Sequence, residues 1–245
     1  MLAIQIVEIL DRSIQGITKP FYCRCEDGQT YFVKGNGAGK QSLIAEYVGG
    51  RLARAFGLPV ADFDIVEVPQ ELIKWCGRDD ANDLGAGMAF GSKALPHVQE
   101  FSMAHMPQVN MLTRKDVVLF DWWVHNADRT LTEKGGNPNL LWDLQHSKLA
   151  VIDHNQAFDM DFDPHRFVEL HVFHDSLMAI FDDLVDRETY RDRLAAAFAE
   201  FDPACDNVPP EWWTVDNGVP THFNRDAVRE FLRRFMNNDF WRVAR

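Results

Sequence analysis

Polar and apolar positions alternate early in the chain, and the period changes after residue 40. AIQIVEIL (3–10), FYCRC (21–25) and QTYFVKG (29–35) follow the two-residue period of strands. Glu26-Asp27-Gly28 marks a turn, so residues 21–35 are predicted as a β-hairpin. From Gln41 to Phe56 the apolar residues Leu43, Ile44, Tyr47, Val48, Leu52, Ala55 and Phe56 recur at helical spacing, and Gly57 and Pro59 stop that helix. ADFDIVEVP (61–69) and ELIKW (71–75) predict two more strands, and residues 77–87 a polar, glycine-bearing loop. Beyond Leu95 the pattern is mainly helical. Thr113 is the expected cap of a buried helix running through RKDVVLFDWWVHN (114–126). LLWDL and KLAVID (140–153) predict a second small hairpin, and further helices are expected at about 167–184, 188–201 and 225–240. No internal repeat, low-complexity segment or long linker interrupts this order. The expected fold class is α+β with two lobes, β-rich over residues 1–93 and mainly helical over 94–245.

Composition narrows the function. The 245 residues are 46% hydrophobic and 25% charged, ample for a soluble globular core. No apolar run approaches the roughly 20 residues of a membrane span, and the start MLAIQIVEILDR has no basic leader. The four cysteines form no C-x-x-C pair or disulfide ladder, so a reduced, cytoplasmic chain is expected. The net charge of −12 argues against a nucleic-acid partner. Between Asp153 and Asp206 there are 14 acids and 4 arginines, a local charge of −10. Arg225, Arg229, Arg233, Arg234, Arg242 and Arg245 form a basic face, expected to dock on that acidic stretch or lie in solvent.

Three polar residues interrupt apolar frames. Lys34 ends YFVK, Asp128 follows the buried helix in HNADR, and Asp153 ends LAVID. Hairpin pairing brings Asn139, at the start of LLW, beside Asp153. An Asn and an Asp there supply hard oxygen ligands of the kind Mg²⁺ accepts. A metal on the phosphates, a lysine on the phosphates and a separate Asp at the acceptor hydroxyl are the parts that phosphoryl transfer requires.

Other motifs are read as structural. GNGAGKQ lacks the first Gly and the final Ser/Thr of a phosphate-binding loop. DMDFDP lacks the Gly and the twelfth-position acid of a calcium loop. His171 and His174 have no third zinc ligand at useful spacing. Cys23, Cys25, Trp122-Trp123 and Trp212-Trp213 are expected in packing.

Taken together, Ser13-Ile-Gln-Gly16, Lys34 in YFVKG, Glu46 in AEYVGGRLARAFGLPV, Asp128 in HNADR, Asn139 in NPNLLW and Asp153 in AVIDHNQAF resemble the HipA-like kinases. These are small members of the protein-kinase-like and phosphoinositide-kinase-like fold. The resemblance covers most of residues 1–160 and is only generic beyond. It implies a two-lobed kinase fold that uses ATP and Mg²⁺. Lys34 would contact the ATP phosphates and Glu46 would hold Lys34. Asp128 would be the catalytic aspartate, and Asn139 and Asp153 the metal ligands. A turn near Ser13 and Gly16 would cover the phosphates. The adenine is expected beside the strand from Met88 to Ser92, where the backbone of Phe90 and Ser92 reads its edge. Two departures stand out. The loop from Asp128 to Asn139 is longer than the family's usual one, which keeps Asn137 as an alternative ligand. Arg129 stands where a small residue followed by His is common. The extra N-terminal subdomain of full-length HipA toxins is missing from these residues, so an antitoxin-like partner is left open.

The expected activity is transfer of the γ-phosphoryl group to a hydroxyl, by resemblance a protein Ser or Thr. A lipid or small-molecule kinase is the enzymatic alternative, and a catalytically inactive nucleotide-binding protein the other.

Overall fold

The computed structural model describes residues 3–14, 18–215 and 218–243. β1 (Ile4–Arg12), β2 (Phe21–Cys25) and β3 (Thr30–Lys34) pair in sequence order, with β2 and β3 forming the expected hairpin in register Cys23 to Tyr31. A short 3-10 turn at Asn36–Ala38 leads into α1 (Lys40–Phe56). There follow β4 (Phe63–Val68), α2 (Gln70–Trp75), α3 (Ala81–Leu84) and β5 (Gly87–Lys93). The five strands close into a barrel of order β1-β2-β3-β5-β4, in which β1 meets β4 in parallel. Alternation drives the closure. Phe21, Cys23 and Cys25 of β2 point inward and meet Tyr31, Val33, Val66, Val68 and Ala89 in one core. At Gly91 an added Cβ would stand 2.9 Å from Val66 Cγ1, so the wall tolerates only glycine there.

ELIKW is a helix, α2, and not a strand. β4 already has β1 and β5 as neighbours, and a closed barrel offers no edge for another strand. Pro69 ends β4, and Leu72 and Ile73 pack against the barrel core from outside it. The loop expected at 77–87 contains the short helix α3.

The rest of the chain is mainly helical. β6 (Val98–Glu100) precedes a 3-10 turn at Met103–Gln108 and α4 (Met111–Val124). β7 (Leu140–Asp143) and β8 (Lys148–Val151) form the second hairpin, and β6 joins it in a sheet of order β6-β7-β8. α5 (Pro164–Leu170), α6 (Asp175–Phe181), α7 (Leu184–Ala199), α8 (Phe201–Asp206) and α9 (Arg225–Leu232) complete the set. The cap of α4 is Asn110, whose side chain accepts from Thr113 N at 2.9 Å; Thr113 lies inside the first turn. The helix expected over 167–184 is two, divided at His171, and Asp183 caps the next one through the amides of Val185 and Asp186. α9 stops at Leu232 and gives way to 3-10 turns at Arg233–Met236 and Asn238–Trp241. Part of the basic face docks on acids as expected, with Arg225 and Arg229 on Asp202. Arg234 instead turns inward onto the carbonyls of Trp122 and Trp123.

The chain divides into two compact units. One comprises residues 1–44, 61–96 and 208–222, and the other 45–60, 97–207 and 223–245. Among the described residues no helix is long and apolar enough to cross a membrane.

Candidate active site

α4 is buried from Val117 to Val124, and Asp121 is the one acid in that run. Its carboxylate is fully enclosed. Oδ1 accepts from Asn126 Nδ2 at 3.1 Å, and Oδ2 accepts from Arg129 Nε at 2.7 Å and from His171 Nε2 at 3.0 Å. His171 Nδ1 accepts from the Phe173 amide, so Nε2 carries the ring hydrogen. Burial opposes the charge on Asp121, yet the Arg129 guanidinium and the His171 hydrogen bond outweigh it and hold the carboxyl below its ordinary range. Burial keeps His171 below its own ordinary value despite that carboxylate. Arg129 Nη1 donates to the Asn139 carbonyl at 2.5 Å and to the Ile152 carbonyl at 3.1 Å. One buried guanidinium thus ties the end of α4 to the loop before β7 and to the residue before Asp153.

Asp128 leaves this framework partly exposed. Its Oδ2 accepts from Asn137 Nδ2 at 2.7 Å and from Asn139 Nδ2 at 2.9 Å. Burial raises its pKa above the ordinary carboxylate value. The two amides pull it down, and the Asp153 charge pushes it up.

Asn139 and Asp153 flank the β7–β8 hairpin. Leu140 pairs with Val151, and the Ile152 amide donates to the Asn139 carbonyl at 3.1 Å. Asp153 stands two residues beyond β8 and does not end the strand. Both residues have left-handed backbone, with φ of 48° and 59°, a conformation that Asn and Asp tolerate best among residues bearing a Cβ. Asp153 Oδ1 accepts from the Asn155 amide at 3.4 Å. α1 holds this turn. Buried Glu46 accepts the His154 amide through Oε1 at 2.9 Å, and Gly49 lets His154 approach so closely that an added Cβ would stand 2.9 Å from His154 Cβ.

Of the other expected residues, Lys34 closes β3, is nearly buried, and lies opposite Phe90 in the β3–β5 register. Ser92 lies opposite Phe32. The Ser13 amide donates to the Pro20 carbonyl at 2.9 Å, and Gly16 lies outside the described residues. Ser13, Lys34, Phe90 and Ser92 belong to the first unit; Glu46, Asp128, Asn139 and Asp153 belong to the second. The structure brings Asp128, Asn137 and Asn139 into direct contact, with the Asp153 charge felt at Asp128.

The donor set suits a hard cation. With its Nδ2 on Asp128, Asn139 keeps its amide oxygen for a metal, and Asp153 adds a carboxylate. Among the described residues no three His, Cys, Asp or Glu side chains form a metal cage. Mg²⁺ needs none, because it keeps waters and takes phosphate oxygens beside one or two protein ligands. In DMDFDP, Asp159 accepts from Asp161 N and Asp163 caps α5. Burial pushes the thiols of Cys23 and Cys25 up to about 12, as packing residues.

Asp121 and the tie that Arg129 makes to it lie outside the residues that the sequence motifs single out. An acid amid seven apolar positions of one buried helix was the available signal.

The model of the HipA-like kinase family matches residues 6–244, and the chain belongs to that family. Phosphoryl transfer is therefore its reaction class. The structure matches the Helicobacter pylori proinflammatory kinase CtkA with a TM-score of 0.55 at 9% identity, covering 98% of this chain and 96% of that one, which shows a shared fold. A Golgi casein kinase with Mn/ADP bound aligns over 98% of this chain and 72% of its own at 13% identity, with a TM-score of 0.44. No curated protein matches.

Proposed function

We propose that this chain is an ATP- and Mg²⁺-dependent kinase that phosphorylates serine or threonine hydroxyls of a protein, from a cytoplasmic location. The observation that carries this is Asp128, hydrogen-bonded to Asn139 and under the charge of Asp153. In this reading the chain has two lobes, a nucleotide-binding one drawn chiefly from residues 1–93 and a catalytic one chiefly from 94–245. Mg²⁺ bound through Asn139 and Asp153 supplies neutralisation of phosphate charge. Lys34 contacts the phosphates, and Glu46 orients Lys34. The turn around Ser13 and Gly16 covers the phosphates, and the backbone near Phe90 and Ser92 meets the adenine edge. Asp128 accepts a hydrogen bond from the acceptor hydroxyl and receives its proton as the new O–P bond forms and the bond to ADP breaks. The acidic surface between Asp153 and Asp206 favours basic acceptors by steering.

The test is incubation with γ-labelled ATP, Mg²⁺ and a Ser/Thr peptide mixture, with phosphoinositide vesicles as a parallel arm. Asp128→Asn and Asp153→Asn are each expected to abolish label transfer to peptide. Transfer that survives both changes refutes the mechanism; label appearing only in lipid refutes the acceptor class.

A further inference from the structure

The segment between Asp128 and Asn139 is a fixed hairpin. The Thr130 amide donates to the Asn137 carbonyl at 3.0 Å, and the Asn137 amide donates to Thr130 Oγ1 at 3.2 Å. Thr132 and Gly135 exchange both amide–carbonyl bonds at 3.0 Å. Gly136 lies against the Thr130 carbonyl, where an added Cβ would stand 2.4 Å from the oxygen, so only glycine fits. Outside the hairpin, the Leu131 amide donates to Leu170 O, and Thr130 bridges to His171, which is itself bonded to Asp121. The insert is therefore registered to the same buried framework that fixes Arg129. At its end the exposed Asn137 side chain takes the same Asp128 oxygen as Asn139 does.

The two asparagines are not equivalent. Asn139 is buried, and its carbonyl is held by Arg129 and by the Ile152 amide. Asn137 is exposed and sits on the insert, where its side chain donates to the Asp128 carboxylate and its backbone amide to Thr130 Oγ1. We infer that Asn137 is a positioning residue for Asp128, delivered by the 130–137 hairpin, and not a metal ligand. With Oδ2 held by two amides, Oδ1 is left to face the acceptor hydroxyl. This rests on the kinase reading above.

Three measurements test it. Asn137→Ala is expected to lower kcat about tenfold, the scale of one hydrogen bond to a charged group, with KM for ATP unchanged. It is also expected to leave the Mg²⁺ dependence of ADP binding as in the wild type, whereas Asn139→Ala weakens it. Thr130→Val, which removes the hydroxyl that fixes the Asn137 amide, is expected to lower kcat in the same direction by less. In ¹H–¹⁵N spectra of the whole chain, the Asn137 side-chain amide is expected to shift when Asp128 becomes Asn. Unchanged kcat in Asn137→Ala overturns the inference, as does a Mg²⁺ requirement raised as far as in Asn139→Ala. Full turnover by Asp128→Asn, or none by the wild type, sinks the kinase reading instead. In that case the spectrum alone decides the inference, and an unmoved Asn137 amide overturns it.

Discussion

Arg129 Nε lies 2.7 Å from Asp121 Oδ2, and neither side chain reaches solvent. A buried ion pair is weak evidence of net stabilisation, since both partners lose hydration. Here the guanidinium also donates to three carbonyls: those of Pro138 and of Asn139, itself a candidate metal ligand, and that of Ile152, which precedes the other candidate, Asp153. The pair therefore fixes geometry at the site as well as filling a core position.

Removing one partner leaves the other charged and buried. Arg129→Met alone is expected to cost about 3–5 kcal/mol in urea unfolding. Asp121→Leu with Arg129→Met is expected to recover much of that loss, because an apolar pair fills the same space. Phosphoryl transfer should stay low in the double variant, because the Asn139 and Ile152 carbonyls still lack their donor. Full recovery of activity along with stability would show that the pair only packs.

Glu46 has one structural duty and one proposed catalytic duty. Its Oε1 accepts the His154 amide in a buried place, while the Lys34 duty is a proposal. Glu46→Gln keeps an acceptor oxygen and should hold stability within about 1 kcal/mol. Glu46→Ala orphans the His154 amide and should cost about 1–3 kcal/mol. Both should lower kcat alike. Equal unfolding midpoints for the two variants would remove the structural duty.

His125 caps α4 with left-handed backbone at φ 53°; its Nδ1 donates to the Asp159 carbonyl and its Nε2 accepts from Arg234. Burial, reinforced by the Arg234 charge, lowers its pKa from 6.5 to about 3. The folded value is the lower one, so between these limits the unfolded chain binds more protons. The stability tied to His125 is thus complete above pH 6.5 and is lost as pH falls towards 3. The slope approaches about 1.4 kcal/mol per pH unit. His125→Gln should flatten the pH dependence of the unfolding free energy over this window. A wild-type curve that is already flat there would show that the imidazole is not held neutral.

The sequence displays those features that depend on neighbours along the chain. The β2–β3 and β7–β8 hairpins follow from alternation and turn residues, and α1 follows from its apolar spacing and from Gly57. Asp128 and Asp153 could be picked out because each breaks an apolar frame. Barrel closure depends on a parallel contact between Ile4 and Val66, and no local pattern encodes that. ELIKW is too short to separate a period of 2 from 3.6, so the missing sheet edge decided its fate. Asp121, Arg129 and His171 span 50 positions, and their convergence is visible only in three dimensions.

The segment 208–222 is likewise placed by contacts distant in sequence. It follows α8 in sequence, yet it belongs to the unit built on the barrel. Trp212 is fully buried, and its Nε1 donates to the Met88 carbonyl at 3.0 Å, while Glu211 accepts the Met88 amide at 2.7 Å. Two side chains thereby satisfy both backbone groups of a β5 residue that lies before the β3 pairing begins at Phe90. Trp212→Phe should cost about 1–2 kcal/mol, mostly for the orphaned carbonyl, and Trp212→Ala about 3–5 kcal/mol through the cavity. Hydrogen exchange locates the effect, because local opening follows the contacts removed. Amides of β4 and β5 should exchange faster in Trp212→Ala, while those of α4 keep their wild-type protection. Faster exchange in α4 with β5 unchanged would place Trp212 in the other unit's core and overturn the division of the chain.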